Sequence, residues 1–254
     1  MSGPTREKRI RQLAAALPGL SDALLAWIEH VIREMAKPAT FKRAPTSDLV
    51  DDRFLADFGD TLRLHHCFSS EPFTKDKFEY AMEWVANVCG HTAKLAPKGN
   101  PGHDITIDQA RVSLKTQADR GIKPNSLHIS KFMELGKGQW GTDVEDLKGL
   151  RDQFMKHMTS YDRIFTLRHL LHDGTQRHYE LIEIPKALLQ RAADGQFEMM
   201  NNSKQLPRPG YCRVSDNEGL LFELYFDGGT ERKLQIRHLR KSACLEHADW
   251  RFTR

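Results

Sequence analysis

The stretch HDITIDQARVSLKT, residues 103–116, decides how this chain is read. Residues 103–107 alternate between polar and apolar, Asp108 to Ala110 can turn, and residues 111–116 alternate again, which predicts a β-hairpin. Successive side chains of a strand point to opposite faces. Asp104, Thr106 and Asp108 therefore share one face of the first strand, with Ile105 and Ile107 on the other. In the second strand Ser113, Lys115 and Gln117 lie opposite Val112 and Leu114. Pairing the strands with their apolar faces together puts Asp104 near Ser113 and Lys115.

Before the hairpin the chain reads as helices. Thr5 to Leu17 is a short amphipathic segment closed by Pro18-Gly19. Ser21 caps a helix from Asp22 that Pro38 stops, and its apolar residues Leu24, Leu25, Ile28, Val31, Ile32 and Met35 recur at helical spacing. KPATFKRAP (Lys37 to Pro45) reads as a basic linker, and Ser47 as the cap of a third helix. Thr74 caps a fourth, with Phe78, Ala81, Met82, Val85 and Val88 on one stripe and Gly90 as its stop.

After the hairpin, strands dominate. Ser126 to Phe132 predicts a third strand and Asp143 to Ser160 a helix. Arg163 to Leu170 and His178 to Ile184 predict strands joined around Asp173-Gly174, and Pro185 starts a short helix ending near Gly195. Leu220 to Phe226 and Thr230 to His238 predict a hairpin closed by Gly228-Gly229 as a type I′ turn. The fold class expected is α+β, with residues 1–90 mainly helical and residues 91–254 rich in strands.

Composition bounds the function. Hydrophobic residues make up 39 % and charged residues 28 %, a folded composition that argues against disorder. No apolar run approaches the roughly 20 residues that span a bilayer, so no membrane helix is expected. The opening MSGPTREKRIRQ is charged with no apolar core after it, so a secretory leader is not expected. Cys67, Cys89, Cys212 and Cys244 lie far apart without a CxxC, which reads as free thiols in a reducing cytoplasm. A net charge of +4 permits nucleic acid without demanding it. His65, His66, Cys67, Cys89 and His91 match no common structural zinc spacing. No G-x-S-x-G elbow or P-loop is present, so acyl transfer and nucleoside-triphosphate chemistry are unsupported.

An acid and a lysine on one polar face suit phosphodiester hydrolysis. That reaction needs a cation to neutralise the phosphate and a deprotonated water for attack. Hard carboxylate oxygens hold magnesium, and a nearby lysine can orient the water or help deprotonate it. The spacing is that of the P-D…(D/E)-x-K nuclease signature with two departures: His103 replaces the proline, and Ser113 replaces the second acid.

Around this hairpin the chain resembles the type II restriction endonucleases. The resemblance rests on NPGHDITID (Asn100 to Asp108), LKT (Leu114 to Thr116), MELGKG (Met133 to Gly138), RIFTLR (Arg163 to Arg168), EIPK (Glu183 to Lys186) and YFDGGTERKLQI (Tyr225 to Ile236). It extends from about Asp51 onward and includes TKDKFEYA (Thr74 to Ala81). It implies one restriction-endonuclease-like nuclease domain over residues 1–254, with a central mixed β-sheet core flanked by helices over residues 91–254, magnesium as cofactor, and a homodimer acting on a palindrome in double-stranded DNA. The site implied is GC-rich, CCCGGG, cut to blunt ends, with a companion DNA methyltransferase acting on the same site. Asp104 and Lys115 match the nuclease motif. Glu79, beside the Phe78 stripe, is similar to the auxiliary acid such nucleases place near the metal. With no acid at Ser113, the Leu114 carbonyl becomes a further candidate ligand, and Gln117 and Glu134 are possible additional ones. Gln117 departs from the acid that the resemblance implies at its position.

Such an enzyme must grip phosphates and read base edges. The residues read as DNA-binding are Arg232, Lys233, Gln235 and Arg237 on the last hairpin, with Lys204, Arg208 and Lys137 in loops. One face of that hairpin carries Glu231, Lys233, Gln235 and Arg237, and a polar, basic ribbon can enter a major groove. Two rivals stand beside this reading: a repair or junction nuclease with the same core, and a DNA-binding protein that has lost catalysis with its second acid.

Overall fold

The computed structural model describes residues 5–100, 102–119, 121–136, 140–171 and 175–253. It opens with α1 (Arg6–Ala16) and α2 (Asp22–Met35), capped by the hydroxyls of Thr5 and Ser21, which accept from the N–H groups of Lys8 and Leu24. No residue of either helix is buried. α3 (Asp52–Phe68) is capped by Asp51, which accepts the N–H of Phe54 at 2.7 Å. Ser47, expected as that cap, closes a turn instead: its Oγ accepts the N–H of Val50 and hydrogen-bonds the His247 ring. α4 (Lys75–Val88) follows Thr74, as the sequence suggests.

The segment read as a basic linker holds a strand, β1 (Ala39–Arg43). Next come β2 (Ala93–Leu95), β3 (Ile105–Ile107), β4 (Ala110–Gln117) and β5 (Ser126–Glu134). α5 (Val144–His157) leads to β6 (Arg163–Leu171), β7 (Gln176–Glu183) and α6 (Lys186–Gln190). The chain continues through β8 (Gln196–Met199), β9 (Gly210–Asp216), β10 (Gly219–Asp227), β11 (Lys233–Arg240) and β12 (Leu245–Thr253). The turn expected at Asp173-Gly174 lies outside the described residues.

Two sheets result. The first has the order β1-β12-β7-β6-β4-β3-β2 and is mixed, because β4 and β6 run parallel while the other neighbours are antiparallel. A parallel pair needs a crossover connection, and β5 with α5 lies between its strands in sequence. The second sheet, β5-β11-β10-β9-β8, is antiparallel throughout. The architecture is α+β with a mixed sheet, consistent with a restriction-endonuclease-like core.

Two apolar clusters form, and the one under the second sheet also takes in Ile164 and Ile182 of the first. Phe54, Phe58 and Leu62 of α3 and Phe78 and Met82 of α4 pack with Ile105, Leu114, Phe165 and Trp250 of the first sheet. Leu147, Leu150 and Phe154 of α5 pack with Ile129, Phe222, Leu224 and Ile236 of the second. Each such side chain contributes about 1.5–3 kcal/mol on burial. Gly59 sets how closely α3 approaches the first sheet, since a Cβ there would lie 2.5 Å from the Phe41 ring and 2.7 Å from that of Trp250.

The last hairpin differs from its expected form. Asp227 pairs with Lys233, so the loop runs from Gly228 to Arg232 instead of ending after two glycines. Arg232 closes it with φ 42°, donating its N–H to the Gly229 carbonyl. β11 is flanked on both sides, by β10 and β5, so it is an interior strand and not part of a free ribbon.

Candidate active site

The predicted hairpin forms with Ile105 opposite Val112, and this register fixes Asp104 at the start of β3. Oδ2 of Asp104 accepts the backbone N–H of Leu114 at 2.6 Å and the Ser113 hydroxyl at 3.3 Å. Ser113, at the place of the missing acid, thus orients the remaining one. Oδ1 accepts from the Lys75 ammonium at 2.8 Å. That ammonium also lies 3.1 Å from Oε1 of Glu79, one helical turn further along α4. Burial opposes the Lys75 charge, but the bonds to Asp104 and Glu79 outweigh it and hold the group above the ordinary lysine value.

Lys115 enters the same cleft from β4. The cleft is lined by Lys75, Asp104, Lys115, Phe132, Glu134 and His157. Burial pushes the Lys115 ammonium down to about 8, against the pull of the Asp104 charge. Its Nζ lies 5.4 Å from the centre of the Phe132 ring. Phe132 reaches that place from the irregular stretch of β5, where Ile129 and Met133 pair with Ile236 and Leu234. Between these pairs, Ser130 to Phe132 of β5 lie opposite Gln235 alone of β11, and such a bulge re-aims side chains. His157, at the end of α5, is held below the usual histidine value by burial and by the charge of Lys115.

The structure therefore brings together Asp104, Lys115 and Glu79, and keeps Leu114 beside them. In a strand, a residue's carbonyl leaves the same edge as its N–H, so the Leu114 carbonyl is directed toward the Asp104 side of β4. Glu134 stands at the cleft with its side chain 70 % exposed and paired to Lys131 at 2.8 Å. Gln117 is placed elsewhere. It is buried, and its Oε1 accepts from Nε of Arg168 at 3.0 Å. Two carboxylates around one ammonium form a donor set of the charge and hardness that suit a divalent cation.

Lys75 and His157 escape the sequence reading. The i, i+4 spacing of Lys75 and Glu79 is visible, but such pairs are ordinary on exposed helices.

Of the DNA-binding candidates, Lys233 and Arg237 are half-buried on β11, Gln235 is buried between them, and Arg232 lies in the loop before the strand. Gln235 donates to Asp227 at 3.2 Å and accepts from Arg237 at 3.0 Å, and the Arg237 guanidinium stacks 3.6 Å from the Tyr225 ring centre. Lys204 is exposed, and Arg208 is tied by its backbone N–H to the Gly141 carbonyl. Lys137 lies outside the described residues.

Among the described residues, two triads of donors converge, and neither contains a predicted site residue. In Asp48, Glu183 and His247, Arg163 bonds both carboxylates. In His178, Glu180 and Asp249, the acids are held by Arg168, Lys241 and Arg251. These are ion networks of the sheet, already balanced by cations. His65, His66 and Cys67 bond the carbonyls of Glu71, Ser69 and Arg63 respectively.

A mixed sheet with an aspartate just before one strand and a lysine on its neighbour, both facing one cleft, is the arrangement expected of a nuclease of the restriction-endonuclease type. A family model, SmaI, described as type II site-specific deoxyribonuclease, matches residues 13–252. The type II restriction enzyme SmaI of Serratia marcescens is 46 % identical over 233 residues, covering 91 % of this chain and 90 % of that protein. This chain belongs to the SmaI family of type II site-specific deoxyribonucleases, and its substrate is DNA. No solved structure matches it. No helix among the described residues is long and apolar enough to cross a membrane.

Proposed function

We propose that this chain is a magnesium-dependent restriction endonuclease that cuts double-stranded DNA at CCCGGG to leave blunt ends. The observation that carries the catalytic part is the cleft shared by Asp104 and Lys115, at whose edge Asp104 and Glu79 converge on the Lys75 ammonium. The specificity rests on the likeness to SmaI.

In this reading Asp104, Glu79 and the Leu114 carbonyl hold the metal. When bound, the metal supplies positive charge at the phosphate and favours loss of a proton from water. The Leu114 N–H and Ser113 hydroxyl fix Oδ2 of the Asp104 carboxylate, leaving Oδ1, which Lys75 holds, as the oxygen for the metal. Lys115 orients the attacking water and stabilises charge developing on the phosphate. With its ammonium near 8, Lys115 is also neutral in part of the population at working pH and can then accept a proton. The leaving 3′ oxygen gives a 3′-hydroxyl and a 5′-phosphate.

Residues 1–254 act as one nuclease domain, and a homodimer matches the two-fold symmetry of the palindrome, with one strand cut per subunit. Arg232, Lys233, Gln235 and Arg237, with Lys204, Arg208 and Lys137, supply phosphate and base contacts. A cytoplasmic enzyme of this kind works beside a methyltransferase that protects the same site.

The test is digestion of a plasmid carrying one CCCGGG, with and without magnesium, followed by sequencing of the ends. A single blunt, metal-dependent cut within that site is expected. Cleavage without discrete fragments would favour a structure-selective nuclease, and intact DNA with specific binding would favour a non-catalytic protein.

A further inference from the structure

Lys75 occupies a position that ordinary helix energetics disfavours. It is the first residue of α4, where the helix dipole repels a positive charge. Its ammonium is held there by Asp104 at 2.8 Å and Glu79 at 3.1 Å. The other Asp104 oxygen is taken by the Leu114 N–H and the Ser113 hydroxyl, so Oδ1 is the one left for a cation, and Lys75 is on it. A divalent ion bound by these two acids would meet an ammonium at hydrogen-bond range of both. Like charges so close are strongly unfavourable, so one must leave. Lys75 can move at small cost, because its side chain is 43 % exposed and it borders three adjoining clefts.

We infer that Lys75 is a resident cation that holds Asp104 and Glu79 together in the DNA-free protein and competes with the metal for them. A phosphate of bound DNA offers the displaced ammonium another anion. DNA binding thereby lowers the cost of metal entry and couples loading to the presence of substrate. This rests on the reading of Asp104 and Glu79 as metal ligands.

The test is calorimetric titration of the full chain with Ca²⁺, with and without a duplex containing CCCGGG. Lys75→Met is expected to bind Ca²⁺ about tenfold tighter than the wild type without DNA, and by less than about threefold with it. An unchanged or weaker affinity without DNA, or an equal gain in both conditions, overturns the proposal. Lys75→Gln, which keeps a donor on a long side chain, gives the same comparison if the methionine variant fails to fold. Asp104→Asn separates the two levels. If it binds Ca²⁺ as the wild type does, the assigned metal site is wrong. If it loses Ca²⁺ while Lys75→Met gains nothing, only the role of Lys75 fails.

Discussion

The Asp104 carboxylate accepts the backbone N–H of Leu114 at 2.6 Å, so the strand that carries Lys115 also holds the acid opposite it. An amide oxygen can accept the same bond but adds no charge to a metal site. Asp104→Asn should therefore keep the fold and lose the chemistry. The expected result is at least about a 10³-fold fall in cleavage rate, with binding of the cognate duplex retained. Single-turnover cleavage and fluorescence anisotropy check the two halves. Full-rate cutting by this variant would remove Asp104 from the mechanism.

Lys115 is expected to cost stability in exchange for its role. Its folded value lies near 8 against an ordinary 10.5, so between these limits the unfolded chain binds more protons than the native one. Stability from this group rises with pH across that window, and below pH 8 the penalty is felt in full. Lys115→Met should abolish cleavage yet unfold at higher urea at pH 7, by about 1–3 kcal/mol, with the advantage shrinking toward pH 10.5. Urea titrations in EDTA at several pH values measure this. A variant less stable than the wild type at neutral pH contradicts the burial argument.

Strand alternation made Asp104 and Lys115 legible in the sequence, because a two-residue period and one short turn fix which side chains meet. Glu79 was suggested by the family resemblance, and its place beside the Phe78 stripe only supported it. Lys75 did not, since a lysine in a first helical turn looks like a solvated one until β3 supplies its acid. β1 was hidden because ATFKR has a single apolar anchor, Phe41, and lies at a sheet edge. β12 was hidden for a different reason. LEHADWRFT buries His247 and Asp249, whose partners Glu183 and His178 lie far away in sequence. Polar residues that bury by pairing across strands leave no alternating pattern to read. Gly228-Gly229 suggested a tight turn, but the chain needs three more residues to bring Lys233 opposite Asp227.

Arg168 is fully buried and holds together parts of the chain distant in sequence. It bonds Glu180 at 2.7 Å, the Gln117 side chain, and the carbonyls of Lys123, Pro124 and Ser126. Removing one member of a buried pair leaves the other uncompensated. Arg168→Met should destabilise by about 3–5 kcal/mol, moderated by the bond that Lys241 keeps to Glu180. Adding Glu180→Gln should recover part of the loss. Chemical denaturation of the single and double variants checks both, and no recovery would mean that the carbonyl contacts, not the ion pair, set the cost.

Arg237 bears on recognition. Its guanidinium is stacked on Tyr225 and bonded to Gln235, which Asp227 anchors in turn. This chain of contacts removes rotamer freedom before DNA arrives, and a planar, prepositioned fork suits the O6 and N7 of guanine. Arg237→Lys keeps the charge but loses the fork and much of the stacking. If Arg237 reads a guanine, this variant should bind CCCGGG about 10- to 100-fold more weakly while binding unrelated DNA nearly as before. Lys204→Ala, at an exposed loop position, should instead weaken both duplexes alike and flatten the salt dependence by about one unit of slope. Anisotropy titrations in Ca²⁺ on cognate and unrelated duplexes over a range of salt separate the two behaviours. Equal weakening of both duplexes by Arg237→Lys would move that residue from base reading to phosphate contact.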